Sequence, residues 1–320
     1  MLETIQRESV ISFPMLGGLT LNPPSYFTVF GRPVYFYGVL IGLGFLLGIL
    51  LCAKRAPRFG LKEDDVYDAV LWLIPCSILG ARLYYVAFRL DYYLQHLDEF
   101  FAVWNGGLAI YGGVIAGILS VAAVCRRKKI PLAAMLDNLV FGLLLGQIIG
   151  RWGNFMNREA FGAETTIFCR MGLTAPDGTT IYVHPTFLYE SLWNLGVLLF
   201  LLWFEKKGKR RFDGHCIALY FLLYGIGRFW IEGLRTDSLY IGSTGIRVSQ
   251  ALSLVLALGA AIVLLWKKKK GYKEEDLYYN RVNAPVVILP AEESRTEGQA
   301  PGPETPDSVP EKGADIERRA

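Results

Sequence analysis

Residues 133–152 read AAMLDNLVFGLLLGQIIGRW and decide the fold. A mostly apolar run of this length matches the roughly 20 residues that a helix needs to cross a bilayer core of about 30 Å. Outward from it, six more apolar runs lie at 34–52, 66–88, 107–125, 186–204, 214–233 and 247–266. The sequence therefore predicts an all-α integral membrane protein, a bundle of seven transmembrane helices.

The composition also favours a membrane protein. Of 320 residues, 52% are hydrophobic and 19% are charged, and the mean hydropathy of +0.32 exceeds what a soluble domain of this size needs. The net charge of +4 requires no nucleic-acid partner. Its lysines and arginines lie beside the apolar runs, where they are expected to contact anionic headgroups of membrane lipid.

The basic residues follow every second apolar run, in clusters at 54–62, 126–129, 206–211 and 267–270. Cytoplasmic loops carry such an excess of lysine and arginine, so we expect the N-terminus outside and the C-terminus in the cytoplasm. This orientation divides the chain into an extracytoplasmic approach segment (1–33), a seven-helix transmembrane domain (34–268) and a cytoplasmic tail (269–320). Glu, Pro, Gly, Ser and Lys dominate the end of the tail, which predicts disorder.

The cysteines and histidines give no sign of a metal centre. The five cysteines form no CxxC pair, and the chain contains three histidines. Neither a zinc site nor a disulfide framework is therefore expected. Nothing in the sequence suggests a diffusible cofactor.

Polar residues within the predicted helices mark a candidate site. An arginine at the centre of a membrane helix costs at least about 3 kcal/mol unless it faces a partner or a polar cavity. A single one is as often a helix-locking ion pair or a snorkelling side chain. Snorkelling does not explain why tyrosine, asparagine and histidine arrive at the same level. In the predicted orientation, the residues that reach one depth near the outer face are Tyr37, Arg82, Asn105, Tyr111, Arg151, His184, Arg228, Glu232 and Gln250.

Two short patterns define this site more closely. Tyr224, Arg228, Glu232 and Arg235 follow one another at i, i+4, i+8 and i+11 and share one helix face. Arginines held by carboxylates suit a phosphate, because guanidinium stays charged and binds phosphate oxygens in pairs. The residues thus predict a site for an anionic phospholipid reached from the outer leaflet. The second pattern begins at Arg151 and continues with Asn154, Glu159 and Gly162.

Two other classes of protein would carry such residues. A transporter or channel places polar residues along a path from face to face, yet the inner half holds little beyond Asp137, Asn138 and Asn194. A non-catalytic lipid-binding protein would have the same phosphate pocket, and turnover distinguishes it from an enzyme. The glycines at 106–107 and 112–113 would let backbone approach either a ligand or another helix.

The stretch GRWGNFMNREAFG at 150–162 resembles the signature of bacterial prolipoprotein diacylglyceryl transferases. Further stretches resemble the same family in the expected order, so the resemblance spans roughly residues 30–266. They are Tyr37-Gly38, GARL at 80–83, NGGL at 105–108, HPT at 184–186, LYE at 188–190, Arg228 with Glu232 and Arg235, and Ser249-Gln250 with Ser253.

The resemblance implies a thiol alkylation in the bacterial cytoplasmic membrane by a multi-pass enzyme. Members transfer the diacylglyceryl group of phosphatidylglycerol to the lipobox cysteine in the signal peptide of a prolipoprotein. The products are a thioether and glycerol phosphate. The implied partners are thus phosphatidylglycerol and the prolipoprotein, and no cofactor is needed.

The resemblance also implies roles for the candidate residues. Arg151 and Arg228 would stabilise negative charge on the departing phosphate. Glu159 and Glu232 would hold the arginines or the glycerol hydroxyls. The residues expected to bind or orient the substrate are Tyr37, Arg82, Asn105, Gly107, Asn154, Gly162, Tyr224, Arg235 and Gln250.

The chain departs from the family pattern at Tyr111, where some members carry a histidine that has been proposed as the base. Tyrosine has an ordinary pKa near 10 and is a weaker base at neutral pH. Three alternatives stay open. Tyr111 is tuned by an arginine, or His184 or Glu159 takes the proton, or the thiol ionises beside the arginines. For His184, a packing role before Pro185 is as plausible as a catalytic one.

Overall fold

The computed structural model describes residues 9–240 and 244–283. It is mostly helical, and seven of its helices are long and apolar enough to cross a membrane. This confirms the predicted count, and the largest boundary difference is at the end of the fourth helix, expected at 152 and found at Asn157. The helices are α1 (Phe36–Arg55), α2 (Glu63–Ala87), α3 (Ile110–Lys128), α4 (Leu132–Asn157), α5 (Thr186–Lys206), α6 (His215–Leu234) and α7 (Val248–Lys270).

Helix ends follow local chemistry. Pro131 and Pro185 stand immediately before α4 and α5, where a missing backbone N–H costs no intrahelical hydrogen bond. Each of α1, α3 and α7 carries lysines or arginines in its last turn, which suits the negative end of the helix dipole. The lysines and arginines that predict the orientation in the membrane therefore also stabilise the C-terminal ends of these helices.

Glycines allow α1 and α4 to pack closely. A Cβ placed on Gly48 would lie 2.8 Å from the carbonyl oxygen of Gly142, closer than real Cβ atoms approach. Contact of this kind is the usual basis of helix association in lipid, where no hydrophobic force drives helices together. Around this contact lies the main core, which includes Phe59, Phe141 and Leu144.

Among the described residues, six short strands lie outside the helices, and none of them was predicted. Four of them form an antiparallel sheet in the order β2-β1-β5-β6, in which Ile11 pairs with both Leu21 and Leu173. The sheet packs against Phe155 and Phe187, at the ends of α4 and α5. The strands are β1 (Val10–Phe13), β2 (Leu19–Leu21), β3 (Tyr26–Val29), β4 (Arg32–Tyr35), β5 (Met171–Thr174) and β6 (Thr180–Val183).

Short elements complete the described chain. β3 and β4 form a separate hairpin that leads directly into α1. The approach segment is thus structured from β1 onward, whereas residues 1–8 and most of the predicted tail (284–320) lie outside the described residues. The remaining elements are the short helices Leu90–Tyr93 and Tyr278–Asn283 and the 3-10 turns Pro14–Leu16, Ala56–Phe59, Leu97–Glu99, Val103–Asn105 and Glu274–Asp276.

Replacing Gly48 with valine should destabilise the bundle by about 1–3 kcal/mol, because the side chain would overlap the α4 backbone. Gly42→Val on the same helix is the matched control, since a Cβ at Gly42 meets no atom within 4 Å. The measurement is unfolding in detergent micelles followed by helical circular dichroism. Equal stability of the two variants would contradict this packing.

Candidate active site

The carboxylate of Glu190, on α5, lies at the centre of a cluster of arginines. One oxygen accepts an ion pair from Arg228 on α6, and the other lies 2.5 Å from Nη2 of Arg151 on α4. Nη1 of Arg235, just after α6, lies 3.8 Å from the first oxygen. Glu190 is only 3% exposed, so one buried carboxylate joins three segments of the bundle.

A second buried carboxylate, Glu232, completes the α6 side of the cluster. Nη2 of Arg228 lies 2.6 Å from Glu232, one helical turn away, as the i, i+4 spacing predicts. Nε of Arg235 lies 4.0 Å from the same carboxylate. Arg235 also forms a forked pair with Asp237, at 2.9 and 2.7 Å. Arg228 and Arg235 are thereby fixed by carboxylates on either side.

The α4 side extends the cluster through hydrogen bonds. Nη1 of Arg151 donates to Oδ1 of Asn154 at 3.3 Å, and Nδ2 of Asn154 donates to Glu159 at 2.9 Å. The predicted residues Arg151, Asn154 and Glu159 therefore connect through Glu190 to Arg228, Glu232 and Arg235. We call these seven residues the ionic cluster.

The ionic cluster has an excess of positive charge at its centre. The side chains of Arg151, Arg228 and Arg235 carry three positive charges, against two negative charges on the buried Glu190 and Glu232. Arginine side chains bury only if they are paired, and each carboxylate lowers the cost of burying its neighbours. The carboxylate of Glu159 balances the third charge, and that of Asp237 adds one more negative charge at the exposed edge. Guanidinium groups that are held in place in this way suit a ligand with phosphate oxygens, such as a phosphodiester.

At Gly162, the loop after α4 lies between the segment before α5 and the end of α6. The backbone N–H of Gly162 donates to the carbonyl of His184 at 2.9 Å, and that of Ala163 donates to the carbonyl of Leu234 at 2.8 Å. A Cβ on Gly162 would lie 2.7 Å from the Cβ of His184. Only glycine allows this approach, so Gly162 positions Glu159 and the end of α6 relative to each other.

Arg158 anchors the same loop to the approach segment. It adopts a left-handed conformation (φ 50°) and is 3% exposed. Its guanidinium donates to the carbonyls of Ser9, Pro23 and Met156 at 2.7–2.8 Å and to Oδ1 of Asn22 at 2.7 Å. The sequence reasoning gave this residue no role, although it lies inside the 150–162 stretch.

His184 lies two residues before α5, and its carbonyl accepts the backbone N–H of Gly162. Its Nδ1 is 3.4 Å from the hydroxyl of Tyr189, which lies 3.5 Å from Sγ of Cys169. Burial lowers the pKa of His184 below its ordinary value near 6.5. The imidazole is therefore neutral at neutral pH and can accept a proton.

Two of the predicted substrate-binding residues, Arg82 and Gly107, contact each other through the backbone of the loop after α2. The guanidinium of Arg82, 2% exposed, donates to the carbonyls of Glu99, Phe100, Gly106 and Gly107. These contacts favour a structural role for Arg82, which holds the loop after α2. They also explain the position of Gly107, whose carbonyl faces Arg82 and whose φ is +68°.

Three other predicted residues make separate contacts within the bundle. Gln250 donates to the carbonyl of Phe229 at 2.9 Å and so ties α7 to α6. Tyr37 packs its ring on Gly153, next to Asn154. Tyr224 stacks on Tyr220 one turn before Arg228, with ring centroids 5.1 Å apart.

Tyr111 is 38% exposed near the start of α3 and has no hydrogen-bond partner among residues 9–240 and 244–283. The backbone of Asn105 lies in the turn Val103–Asn105.

Sequence reasoning missed Glu190, the residue that joins the cluster. It stands in the LYE stretch at 188–190 and inside the predicted span 186–204, so the cost of a carboxylate in a membrane helix could have identified it. In the part of the chain that the structure describes, no three His, Cys, Asp or Glu side chains are grouped as metal ligands.

The fold and the cluster together define a polytopic membrane protein with buried, carboxylate-paired arginines at one end of its bundle. The profile of the prolipoprotein diacylglyceryl transferase family matches residues 24–266. The chain belongs to this family.

Its relatives include three proteins named phosphatidylglycerol–prolipoprotein diacylglyceryl transferase. The one from Finegoldia magna is 42% identical over 250 residues, covering 78% of this chain and 98% of the relative. The one from Clostridioides difficile is 44% identical over 244 residues, covering 76% and 95%. The one from Enterococcus faecalis is 44% identical over 262 residues, covering 80% and 93%.

Replacing Glu190 with glutamine should destabilise the protein by about 3 kcal/mol, because three arginines lose a buried carboxylate. Asp237→Asn is the matched control, since this carboxylate also contacts Arg235 but its side chain is 49% exposed. Its loss should cost at most about 1 kcal/mol. Unfolding in detergent micelles measures both, and equal losses would contradict the central position of Glu190.

Proposed function

We propose that this chain transfers the diacylglyceryl group of phosphatidylglycerol to the lipobox cysteine of prolipoproteins. The observation that carries the proposal is the Arg151–Glu190–Arg228 arrangement in a member of this family. Arginines held in place by buried carboxylates at one end of a membrane bundle suit a phospholipid headgroup. The relatives' names supply the reaction class.

The reaction is a displacement at carbon. The thiolate sulfur of the prolipoprotein attacks the glyceryl carbon that is esterified to phosphate, and a carbon–sulfur bond forms. The carbon–oxygen bond to phosphate breaks, its electron pair stays on the phosphate oxygen, and glycerol phosphate departs. The negative charge of the thiolate thus ends on the phosphate, which leaves as a dianion.

Arg151 and Arg228 are assigned to that growing charge. Both are held by Glu190 before the reaction, so no reorganisation is needed when the phosphate charge develops, and preorganised donors of this kind give large rate effects. Glu232 and Arg235 complete the fixed charge around Arg228. Glu190 acts as a positioning residue for all three arginines.

Asn154, Glu159 and Tyr37 are assigned to the glycerol headgroup. Asn154 and Glu159 are hydrogen-bonded to each other beside Arg151, and both offer acceptors to glycerol hydroxyls. Tyr37 lies against Gly153 on the same part of α4. Gly162 positions the backbone, whereas the contacts of Arg82, Gly107 and Gln250 favour support of the neighbouring loops.

His184 is the favoured candidate to receive the thiol proton. It is neutral at neutral pH and belongs to the segment that Gly162 joins to the cluster. Tyr111 is assigned no part in proton transfer, since its hydroxyl contacts no hydrogen-bond partner among the described residues. Glu159 already accepts hydrogen bonds from two asparagines.

The reaction also defines the placement of the chain. We propose that it spans the bacterial cytoplasmic membrane with its N-terminus outside, since prolipoproteins and the outer leaflet are reached from there. The basic clusters at 126–129 and 267–270 support this orientation. In this placement the chain comprises the extracytoplasmic approach segment (1–33), the catalytic seven-helix domain (34–268) and the cytoplasmic tail (269–320).

Arg228→Lys and Arg151→Lys should each lower the rate of thioether formation about 100-fold, because lysine keeps the charge but loses the fork that binds two oxygens. The assay uses liposomes of phosphatidylglycerol with a lipobox peptide and follows alkylation by mass spectrometry. Arg126→Lys, at the exposed cytoplasmic end of α3, is the control and should turn over like wild type. Wild-type protein that binds the lipid but never alkylates the peptide would refute the transferase.

The base is tested by the pH profile of the same assay. If His184 accepts the proton, the rate falls as pH drops below about 6.5 through its lowered pKa. His184→Gln should remove that acidic limb of the pH profile and lower the rate. Tyr111→Phe should keep the acidic limb and the wild-type rate. An unchanged acidic limb in His184→Gln, or its loss in Tyr111→Phe, would assign the base elsewhere.

A further inference from the structure

An apolar groove lies between α5 and α6, and its lining on α5 follows Glu190 along the helix. It has a cavity volume of about 320 Å³, within the range of small-molecule sites. The side chains that line it are all apolar apart from one indole N–H, which is already bonded within the protein. The lining residues are Leu192, Trp193, Gly196, Val197, Phe200 and Leu223.

Trp193 connects the groove with the parts of α5 and α6 that carry the ionic cluster. On α5, Trp193 follows Glu190 by three residues and lies on the same face. Its indole N–H donates to the carbonyl of Leu223 at 2.9 Å, and its ring packs on Gly227, the residue before Arg228. Trp193 thus joins the headgroup end of the site to the start of the groove.

The depth of the groove matches one leaflet. Ten residues separate Glu190 from Phe200, which corresponds to about 15 Å along a helix. This is about half of a bilayer core of roughly 30 Å. A molecule whose phosphate lies at the ionic cluster would therefore have its hydrocarbon along the whole groove.

We propose that the groove holds one acyl chain of the phospholipid whose phosphate binds the ionic cluster. The inference rests on the proposed function and adds a site for the apolar part of the donor. In lipid the chain gains no hydrophobic free energy on entering, so selection comes from packing and from the tether to the bound headgroup. Donors with long chains should use the groove, and donors with very short chains should not.

Gly196→Phe is the variant that fills the groove. A Cβ at Gly196 meets no atom within 4 Å, so the helix accepts the side chain without a clash of its first carbon. Gly259→Phe on α7 is the matched control, because Gly259 is also a helical glycine in open space and does not line the groove. Both variants add the same side chain to the protein.

Two measurements test the groove. In the first, the KM for phosphatidylglycerol with 18-carbon chains should rise about tenfold in Gly196→Phe, the scale of overpacking by one side chain. With six-carbon chains, too short to reach Gly196 from the cluster, the KM should stay within about twofold, as should both values in Gly259→Phe. The proposal is overturned if the KM of Gly196→Phe rises equally for both chain lengths, or if it does not rise for the 18-carbon lipid.

The second measurement needs no turnover and separates the groove from the reaction. Phosphatidylglycerol with a photoreactive diazirine in its acyl chain should label residues 192–200, and unlabelled phosphatidylglycerol should compete better than phosphatidylcholine. Equal competition by the two lipids would show bulk lipid in the groove and overturn the proposal. If wild type labels here but never alkylates the peptide, the transferase fails while the lipid site stands.

Discussion

The cost of burying a carboxylate in a membrane bundle is the constraint on which the rest of the site depends. Glu190 is buried on α5, and several kcal/mol of desolvation must be offset by its partners. Arg151 and Arg228 offset it from two other helices, which fixes α4, α5 and α6 at one end. The same contacts hold the two guanidiniums that we propose bind the phosphate, so in this proposal the interaction that stabilises the bundle also organises the chemistry.

The polar residues at the other end of the bundle behave differently. Asp137 accepts backbone N–H groups of Gly214 and Ile217 at 2.9 Å, so it caps the start of α6. Asn138 donates to the carbonyl of Cys52 at 3.0 Å and ties α4 to α1. These contacts tie helices together and do not extend the ionic cluster inward. They favour a one-sided site over a transport path.

The sequence predicted the features that depend on the length of apolar runs and on the free-energy cost of burying polar residues in lipid. Apolar length identified all seven helices. The cost of arginine in a membrane helix marked Arg151 and Arg228 as candidates, and the structure places both beside Glu190. The strands were missed because each has three or four residues, too few for an alternating pattern to stand out beside long apolar runs. Their pairing joins residues near the N-terminus to the loop before α5, a long-range contact that no local pattern encodes.

The sequence could not predict which group each charged side chain of the site contacts. Arg82 and Arg151 look alike as membrane arginines, but Arg82 donates to backbone carbonyls while Arg151 faces a carboxylate. Glu190 has no helical neighbour of opposite charge, so its role emerges only when three helices meet. Spacing on one helix did predict the Arg228–Glu232 pair, because i, i+4 neighbours depend on that helix alone.

In the proposed mechanism, guanidinium charge held by Glu190 stabilises the departing phosphate. The most direct test of this claim is chemical rescue of Arg228→Ala in a single-turnover alkylation assay, with folding checked by helical circular dichroism. Added guanidinium should restore a large part of the lost rate, and methylammonium, which has the charge without the fork, should not. A folded Arg228→Ala protein that alkylates the peptide at the wild-type rate would contradict the claim.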